Sequence, residues 1–180
     1  MTTAPGVELR HHTDIVCVRK DLLDVYADVR APLLHLPHYA VDAYAERLDR
    51  HATEAGFEVV IGYEGTEAVG YAYCNTVEPG NRWWNRMDPP LPDQLTAAPA
   101  IALKEIMVRT PWRGTGTARR IHDELLAHRP EQRVSLLVNP TAGNGKVHRL
   151  YERWGYETVS AQRPSPGSPP LAAMIRRVSG

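Results

Sequence analysis

One run of residues, 105–118, has the composition of an anion-binding turn. It reads Glu-Ile-Met-Val-Arg-Thr-Pro-Trp-Arg-Gly-Thr-Gly-Thr-Ala, so an apolar stretch suited to a strand leads through a proline into two glycines and then a helical pattern. Glycine permits tight turns and leaves no Cβ in the way of a bulky anion. Backbone N–H groups at a helix start attract phosphate groups. The segment therefore predicts an anion cradle, and we expect a pyrophosphate as its ligand.

Two familiar phosphate-binding motifs fail at required positions. The dinucleotide fingerprint needs a third glycine where this chain has Arg119. A Walker loop ending at Gly145-Lys146 needs glycine in place of Pro140, and serine or threonine in place of Val147. These mismatches argue against a nucleotide hydrolase.

Composition narrows the class of protein. The chain has 180 residues, the size of one ordinary globular domain, and we expect a single domain over residues 1–180. The chain has 21 basic residues (Lys and Arg) and 21 acidic residues (Asp and Glu), so its formal net charge is zero. It therefore has no overall positive charge to attract nucleic acid or an anionic membrane. No stretch has the length and apolarity of a membrane span or the form of a signal peptide. We expect neither nucleic-acid nor membrane partners.

The two cysteines, Cys17 and Cys74, lie in apolar stretches. They show neither metal-ligand spacing nor a disulfide pattern, and no other feature of the sequence implies a metal. We therefore expect both thiols to be buried, in a protein of the reducing cytoplasm.

Hydrophobic periodicity predicts strands interleaved with helices on both sides of the central turn. Before the turn, one of two apolar patches (7–9 or 15–18) is the first strand, and helices follow over 20–29 and 41–52. An antiparallel hairpin comes next, its first strand alternating as a half-buried strand does. After the turn, a helix, a strand buried on both faces, a helix and two strands follow, over 118–128, 133–138, 147–154, 156–159 and 171–178. This order predicts an α/β (α+β) fold with a mixed sheet.

Residues 78–99 lose all periodicity and carry five prolines together with Trp83-Trp84. An irregular segment of this length is typical of lids and binding loops. It is also consistent with an ordered surface loop whose tryptophans cap the core. Both interpretations stay open.

Two motifs of this chain resemble motifs of the GNAT superfamily of acyl-CoA-dependent N-acyltransferases, and they occur in the same order along the sequence. Residues 105–108 followed by Arg-Gly-Thr-Gly-Thr-Ala at 113–118 resemble the family's strand and its Arg-x-x-Gly-x-Gly/Ala pyrophosphate loop. Asn144 and Leu-Tyr-Glu-Arg-Trp-Gly-Tyr at 150–156 resemble its closing motif, an asparagine seven residues before a tyrosine. The resemblance covers essentially the whole chain, with 78–99 the least typical part.

The resemblance implies a fold and a reaction. The fold is a mixed, mostly antiparallel central sheet of about six to seven strands, flanked by about four helices and splayed at the central strands. The reaction is transfer of an acetyl group from acetyl-CoA to a primary amine by direct attack in a ternary complex, without a metal. The rival hypothesis is a non-catalytic module that binds or senses acyl-CoA. Dimers are common in the family, so a homodimer is one arrangement that the resemblance allows.

The resemblance also assigns residues to the donor. Backbone N–H groups of the turn would hold the CoA pyrophosphate, with Arg113 adding charge or bracing the loop. The pantetheine arm would run beside the central strand, and Asn144 would bond it from the other side. The residues so assigned are Ile106, Met107, Val108, Arg113, Gly114, Thr115, Gly116, Thr117, Ala118, Arg119 and Asn144.

By the same resemblance, Tyr151 is the general acid that protonates the departing thiolate. Its alternative role is that of a core aromatic residue, because Val147, Leu150 and Trp154 make that helix face apolar.

Glu105 is the leading candidate for the general base. A carboxylate in an otherwise apolar strand should have a perturbed pKa, and it lies just upstream of the acyl site. The alternative is an ion pair with an arginine or lysine across the sheet. Some family members carry a glutamate on the next strand at the position of Leu137, which cannot serve.

Acceptor contacts are assigned to His38 and Tyr39, in the link 35–39, and to Trp83 and Trp84. The tryptophans would form an apolar or cation-binding wall. For the histidine link, surface or packing roles are the alternative. Acidic residues expected to attract a protonated amine are Glu46, Asp88 and Asp93. Small antibiotic-like amines, amino-acid derivatives, polyamines and protein N-termini all stay open as acceptors.

Overall fold

The computed structural model describes residues 6–164 and 166–178, which contain eight strands and six α-helices. In chain order these elements are β1 (Val7–His12), α1 (Arg19–Val29), α2 (Val41–Ala52), β2 (Glu58–Glu64), β3 (Glu67–Val77), α3 (Arg82–Asn85), β4 (Met87–Asp88), α4 (Asp93–Thr96), β5 (Ala100–Val108), α5 (Thr117–Leu126), β6 (Arg133–Val138), α6 (Lys146–Arg153), β7 (Glu157–Gln162) and β8 (Leu171–Arg177). The strands form one sheet in the order β1-β2-β3-β5-β6-β8-β7-β4.

This architecture confirms the expected mixed α/β fold with a mostly antiparallel sheet. The structure has one strand and two helices more than the sequence indicated. All three additions, α3, β4 and α4, lie within 78–99. Each is a single helical turn or a two-residue bridge, too short to leave a periodic hydrophobic pattern.

Internal contacts divide the chain into two compact units, and strand β5 contributes to both. The first unit comprises residues 6–75 and 104–129, and the second comprises 76–103, 130–164 and 166–178. Each unit has its own cluster of buried apolar side chains. The turn after β5 belongs to the first unit, and the Asn144 and Tyr151 motif belongs to the second.

In the first unit, helices α1 and α2 cover one face of the strands. Their buried residues Leu22, Tyr26, Tyr44 and Leu48 join the alternate strand residues of β2 in one core cluster. The strands β3 and β5 approach closely, since a Cβ added at Gly70 would lie 2.6 Å from the carbonyl oxygen of Met107. Glycine at this point therefore lets β5 lie close against β3.

The expectation that β2 is half-buried is wrong. Val59, Val60 and Ile61 are all buried. Helix α5 accounts for the difference, because Ile121 on its apolar side reaches the opposite face of β2 beside Gly62. A strand covered by helices on both faces no longer separates buried from exposed positions.

In the second unit, β5 and β6 pair in parallel through Ile101–Leu103 and Val134–Leu136. The pairs β6·β8, β8·β7 and β7·β4 are antiparallel. The buried middle of β6 agrees with the expected fully covered strand.

The first strand is the earlier of the two N-terminal patches, and the later patch is a turn that leads into α1. In this turn Ile15 and Val18 are buried, whereas Val16 is 77% exposed. Cys17 is exposed as well, so the prediction that both thiols are buried holds only for Cys74. An apolar run folded as a turn presents its residues in different directions, which its hydrophobicity alone does not reveal.

None of the helices in the described ranges combines the length and apolarity needed to cross a lipid bilayer.

Candidate functional site

The turn after β5 depends on two glycines with left-handed backbone conformations. Gly114 has φ +72° and Gly116 has φ +85°, a region that other residues rarely adopt. A Cβ built on either glycine would meet no atom within 4 Å, so both face open space. Gly116 is also the N-cap of α5 and has no side chain with which to cap the helix. The N-cap residue therefore supplies no side-chain acceptor for the first N–H groups of α5.

Side chains within the turn hold its shape. Arg113 Nε donates to the carbonyl of Val108 at 3.0 Å, and Thr115 Oγ1 donates to the carbonyl of Trp112 at 2.5 Å. The hydroxyls of Thr115 and Thr117 are 2.8 Å apart, with Thr117 only 1% exposed. Arg113 thus braces the loop from behind, because its Nε is committed to the backbone of β5.

Charges near the start of α5 suit an anion. The first turn of the helix contains no acidic residue. Arg120 Nη2 donates to the carbonyl of Val7 at 3.0 Å, which ties the helix to β1. Arg119 forms a surface ion pair with Asp123 at 2.7 Å, one turn farther along. The positive end of the helix dipole is therefore not offset by a carboxylate in the first turn.

Glu105 lies in the middle of β5 with its side chain only 21% exposed. Burial raises the pKa of Glu105 to about 7, and the nearby charges of Arg30 and Arg47 oppose that rise. Arg30 Nη2 stands 3.9 Å from Glu105 Oε1, too far for a hydrogen bond. The cation comes from the end of α1, whereas the sequence suggested one across the sheet. A carboxylate with a pKa near neutrality can accept and return a proton under physiological conditions.

A group of buried tyrosines surrounds this carboxylate within the first unit. The rings of Tyr26 and Tyr44 stack at 3.8 Å, and the hydroxyls of Tyr44 and Tyr71 are 2.6 Å apart. Tyr71 also donates to Met107 Sδ at 3.6 Å. Burial raises the pKa of Tyr71 well above its ordinary value, and negative charge on Glu105 adds to the rise. The tyrosines therefore stay protonated and form a neutral polar wall.

His38 and Tyr39 lie close to the same arginines. Both belong to a short 3-10 turn, Pro37–Tyr39, and their rings meet edge to face at 5.3 Å. The guanidinium of Arg30 lies 5.4 Å from the centre of the Tyr39 ring. Burial, Arg47 and Arg30 all lower the pKa of His38. Arg30 thus lies near both the ring of Tyr39 and the carboxyl of Glu105.

The second unit carries the other motif. Asn144 is exposed and has φ +57°, in the 3-10 turn Ala142–Gly145 that precedes α6. Asparagine tolerates this left-handed conformation better than most residues do. Tyr151 is 7% exposed, and its ring lies edge-on to Trp154 and Tyr156, each at 5.6 Å. Its surroundings are thus those of a packed aromatic cluster.

The two tryptophans of 78–99 pack within the second unit. Trp84 is 6% exposed and belongs to the core cluster, and Trp83 packs against that cluster. Trp83 Nε1 also donates to Ser135 Oγ at 3.0 Å. This is the arrangement that the core-capping interpretation describes.

Comparison with known proteins identifies the family. A model of the acetyltransferase (GNAT) family matches residues 22–156, which include the turn, Glu105 and Tyr151. The chain belongs to the GNAT family. By sequence it matches no curated protein significantly.

Solved structures share the GNAT fold of this chain at low sequence identity. PH1933 from Pyrococcus horikoshii OT3 is 19% identical, with a TM-score of 0.66, over 94% of this chain and 98% of its own. An acetyltransferase from Thermus thermophilus is 15% identical, with a TM-score of 0.64, over 98% and 99%. An aminoglycoside 6'-acetyltransferase type Ii is 15% identical, with a TM-score of 0.65, over 97% of each chain. At these identities the likeness concerns the fold alone.

Arg30 and Arg47 are two candidate functional residues of this GNAT chain that the sequence did not lead us to predict. Arg47 Nη1 donates to the carbonyls of His38 at 3.0 Å and Ala43 at 3.3 Å. The sequence did contain a signal. Arg30 follows Tyr26 by four residues, and Arg47 follows Tyr44 by three. That spacing places an arginine and an aromatic ring on one helix face.

The described part of this GNAT chain contains no cluster of three or more His, Cys, Asp or Glu side chains arranged to hold a metal ion.

The raised pKa of Glu105 predicts a pH-dependent stability. From about pH 4.5 to about pH 7, the unfolded chain releases a proton that the native state retains, so the free energy of unfolding falls as pH rises. The expected loss is about 3 kcal/mol. In Glu105→Gln this contribution disappears, so the variant gains stability relative to wild type at pH 8 but not at pH 4. Urea unfolding at both pH values measures the difference.

Glu67→Gln, at an exposed position of β3, is the matched control. It should follow the wild type at both pH values. If Glu105→Gln also follows the wild type, the carboxyl of Glu105 is not held in its protonated form by burial.

Proposed function

We propose that this GNAT protein transfers an acetyl group from acetyl-CoA to a primary amine by direct attack in a ternary complex. The observation that carries the proposal is the arrangement along β5. A half-buried carboxylate with a pKa of about 7 lies on the strand, and nine residues later the chain forms an open turn of left-handed glycines at a helix start. Proton acceptance and anion binding, the two requirements of this reaction, follow one another on a single element.

In this proposal the turn holds the donor. The N–H groups from Gly114 to Arg119 bind the pyrophosphate, and Arg113 keeps the turn in shape. The backbone of Ile106, Met107 and Val108 bonds the pantetheine arm. The family motif assigns a further hydrogen bond with this arm to Asn144.

The reaction itself needs one proton acceptor and one proton donor. The amine attacks the thioester carbonyl carbon, the new C–N bond forms, and Glu105 takes the proton that the amine nitrogen loses. The C–S bond then breaks, and Tyr151 gives its hydroxyl proton to the departing thiolate of CoA. The role of Tyr151 rests on its place in the family motif, and that of Glu105 on its surroundings. No step as written requires a metal.

The acceptor is assigned to the side of Glu105 that Arg30, His38 and Tyr39 occupy, in preference to the packed tryptophans Trp83 and Trp84. The cytoplasm is the location that we propose, because the exposed thiol of Cys17 suits a reducing compartment.

The proposed donor site predicts a thermal shift. Acetyl-CoA at about a hundred times its Kd should raise Tm by about 5–10 °C, since it binds only the native state. Gly114→Glu and Gly116→Glu should abolish this shift, because each places a carboxylate in the open space meant for phosphate. Differential scanning fluorimetry measures the shift.

The matched control is Gly65→Glu, at a glycine with φ +61° and open surroundings in the β2–β3 turn. It introduces the same charge and similar backbone strain, and should keep the full shift. A normal shift in both Gly114→Glu and Gly116→Glu would place the pyrophosphate elsewhere.

The assigned base predicts a pH profile. The ratio of kcat/KM in wild type to that in Glu105→Gln should rise as pH increases through about 7, because only the deprotonated carboxylate accepts a proton. At high pH the ratio should reach about a hundredfold. Taking the ratio cancels the titration of the acceptor amine itself. A ratio that is constant with pH would exclude Glu105 as the base.

The assigned acid predicts a loss of thiol release. With acetyl-CoA and a panel of amines, Tyr151→Phe should lower kcat by about a hundredfold while the thermal shift by acetyl-CoA is retained. Tyr156→Phe, in the same aromatic cluster, is the control and should stay near wild type. The rival hypothesis predicts a different result: wild type binds acetyl-CoA, but none of the amines in the panel causes thiol release. In that case the protein is a non-catalytic acyl-CoA-binding module.

A further inference from the structure

Resting on the proposed function, we propose that the acceptor is an α-amino acid, whose carboxylate Arg30 binds while its amine faces Glu105. The sequence directed attention to acidic residues that would attract a protonated amine. In the first unit, however, the charged groups beside Glu105 are two arginines. An acceptor for this site therefore brings a negative charge as well as an amine.

Arg30 has hydrogen-bonding capacity that the described residues leave unused. Its Nε is buried and has no hydrogen-bond partner among residues 6–164 and 166–178. Its Nη2 approaches Glu105 no closer than 3.9 Å, and its side chain is 36% exposed. Leaving a buried donor of a charged group unpaired is costly. A carboxylate, which binds the guanidinium fork through two parallel hydrogen bonds, would satisfy it.

The aromatic ring beneath Arg30 holds the guanidinium in place. The ring centre of Tyr39 lies 5.4 Å from its Cζ, and the carbonyl of Tyr39 accepts a hydrogen bond from Tyr26 at 3.1 Å. This hydrogen bond ties the backbone of Tyr39 to α1. A fork held in this way loses less entropy on binding a carboxylate than a mobile surface arginine does.

Arg47 supplies a second positive charge near Glu105. Its Nη1 is engaged by the carbonyls of His38 and Ala43. Arg47 nevertheless lowers the pKa of His38, as Arg30 also does, so the imidazole is biased toward its neutral form. The two arginine cations repel a polyamine and favour an anionic acceptor, and a neutral histidine leaves this balance of charge unchanged.

The spacing of Arg30 and Glu105 fits an amine and a carboxylate on one carbon. With N–Cα of 1.46 Å, Cα–C of 1.52 Å and an angle near 111°, the amine nitrogen and carboxylate carbon of an α-amino acid are about 2.5 Å apart. The gap between Arg30 Nη2 and Glu105 Oε1 is 3.9 Å. The amine can therefore bond to Glu105 while the carboxylate bonds to Arg30.

The test compares acceptors that differ only in the carboxylate. The panel pairs alanine with ethylamine, phenylalanine with phenethylamine, tryptophan with tryptamine and lysine with cadaverine, and adds the amide of each amino acid as a mimic of a peptide N-terminus. Thiol release from acetyl-CoA gives kcat/KM for each. We expect at least one amino acid to exceed its matched amine and amide by about tenfold to a hundredfold, the value of a charged hydrogen bond.

Arg30→Met should reduce this preference to near unity while keeping the thermal shift by acetyl-CoA. The matched control is Arg10→Met, since Arg10 also lies over a tyrosine ring, that of Tyr63, at 4.6 Å. Arg10→Met should keep the preference. Equal turnover of amino acids and their amines by wild type, or a preference that survives in Arg30→Met, would overturn the inference while the proposed function stands.

If no acceptor causes thiol release from acetyl-CoA, the proposed function fails. The inference is then tested separately, by measuring the binding of amino acids and their matched amines. In the presence of CoA, an amino acid should raise Tm where its matched amine does not, and Arg30→Met should remove that difference. The absence of any such difference in wild type would overturn the inference.

Discussion

The burial of the Glu105 carboxyl is the constraint on which the first unit depends. A carboxylate taken out of water is unstable unless charges or hydrogen bonds replace its hydration. Here two arginines oppose the effect of burial only partly, so the pKa settles at about 7. The tyrosines around it keep their protons and supply polarity without charge. The helices α1 and α2 and the strand β3 provide these partners, and the packing of the helices against β2 and β3 thereby sets the acidity of one side chain.

A second constraint acts on the backbone after β5. Two left-handed residues within three positions leave glycine as the natural choice for both, and the turn is then fixed by Arg113 and Thr115 from behind. The open side of the turn is thereby free of side chains. Because β5 carries Glu105 and leads directly into this turn, only nine positions of the chain separate the proposed proton acceptor from Gly114 of the proposed anion site.

The sequence predicted the elements with long periodic patterns and the motifs with special residue types. Glycine spacing located the turn, and alternating strands and helices led to the observed sheet. The sequence could not indicate the coverage of β2 on both faces, since this depends on where α5 packs. Nor could the sequence pair Arg30 with Glu105, because the two residues lie 75 positions apart. The local sequence around an arginine at a helix end does not reveal whether a carboxylate lies beside it in the folded protein. Local sequence patterns predict local structure, whereas tertiary packing brings together the charged residues of the site.

In the acceptor complex that we propose, the Arg30–Glu105 pair also connects acceptor binding to base strength. In the protein alone, Arg30 stabilises the ionised form of Glu105 and holds its pKa below the value that burial would produce. A carboxylate bound to Arg30 offsets that positive charge, so the affinity of Glu105 for a proton increases once the acceptor is in place. The amine bonded to Glu105 is then beside a stronger base than the free protein contains. An acceptor without a carboxylate produces no such change. In the proposed complex, selectivity for the acceptor and activation of its amine thus follow from one electrostatic interaction.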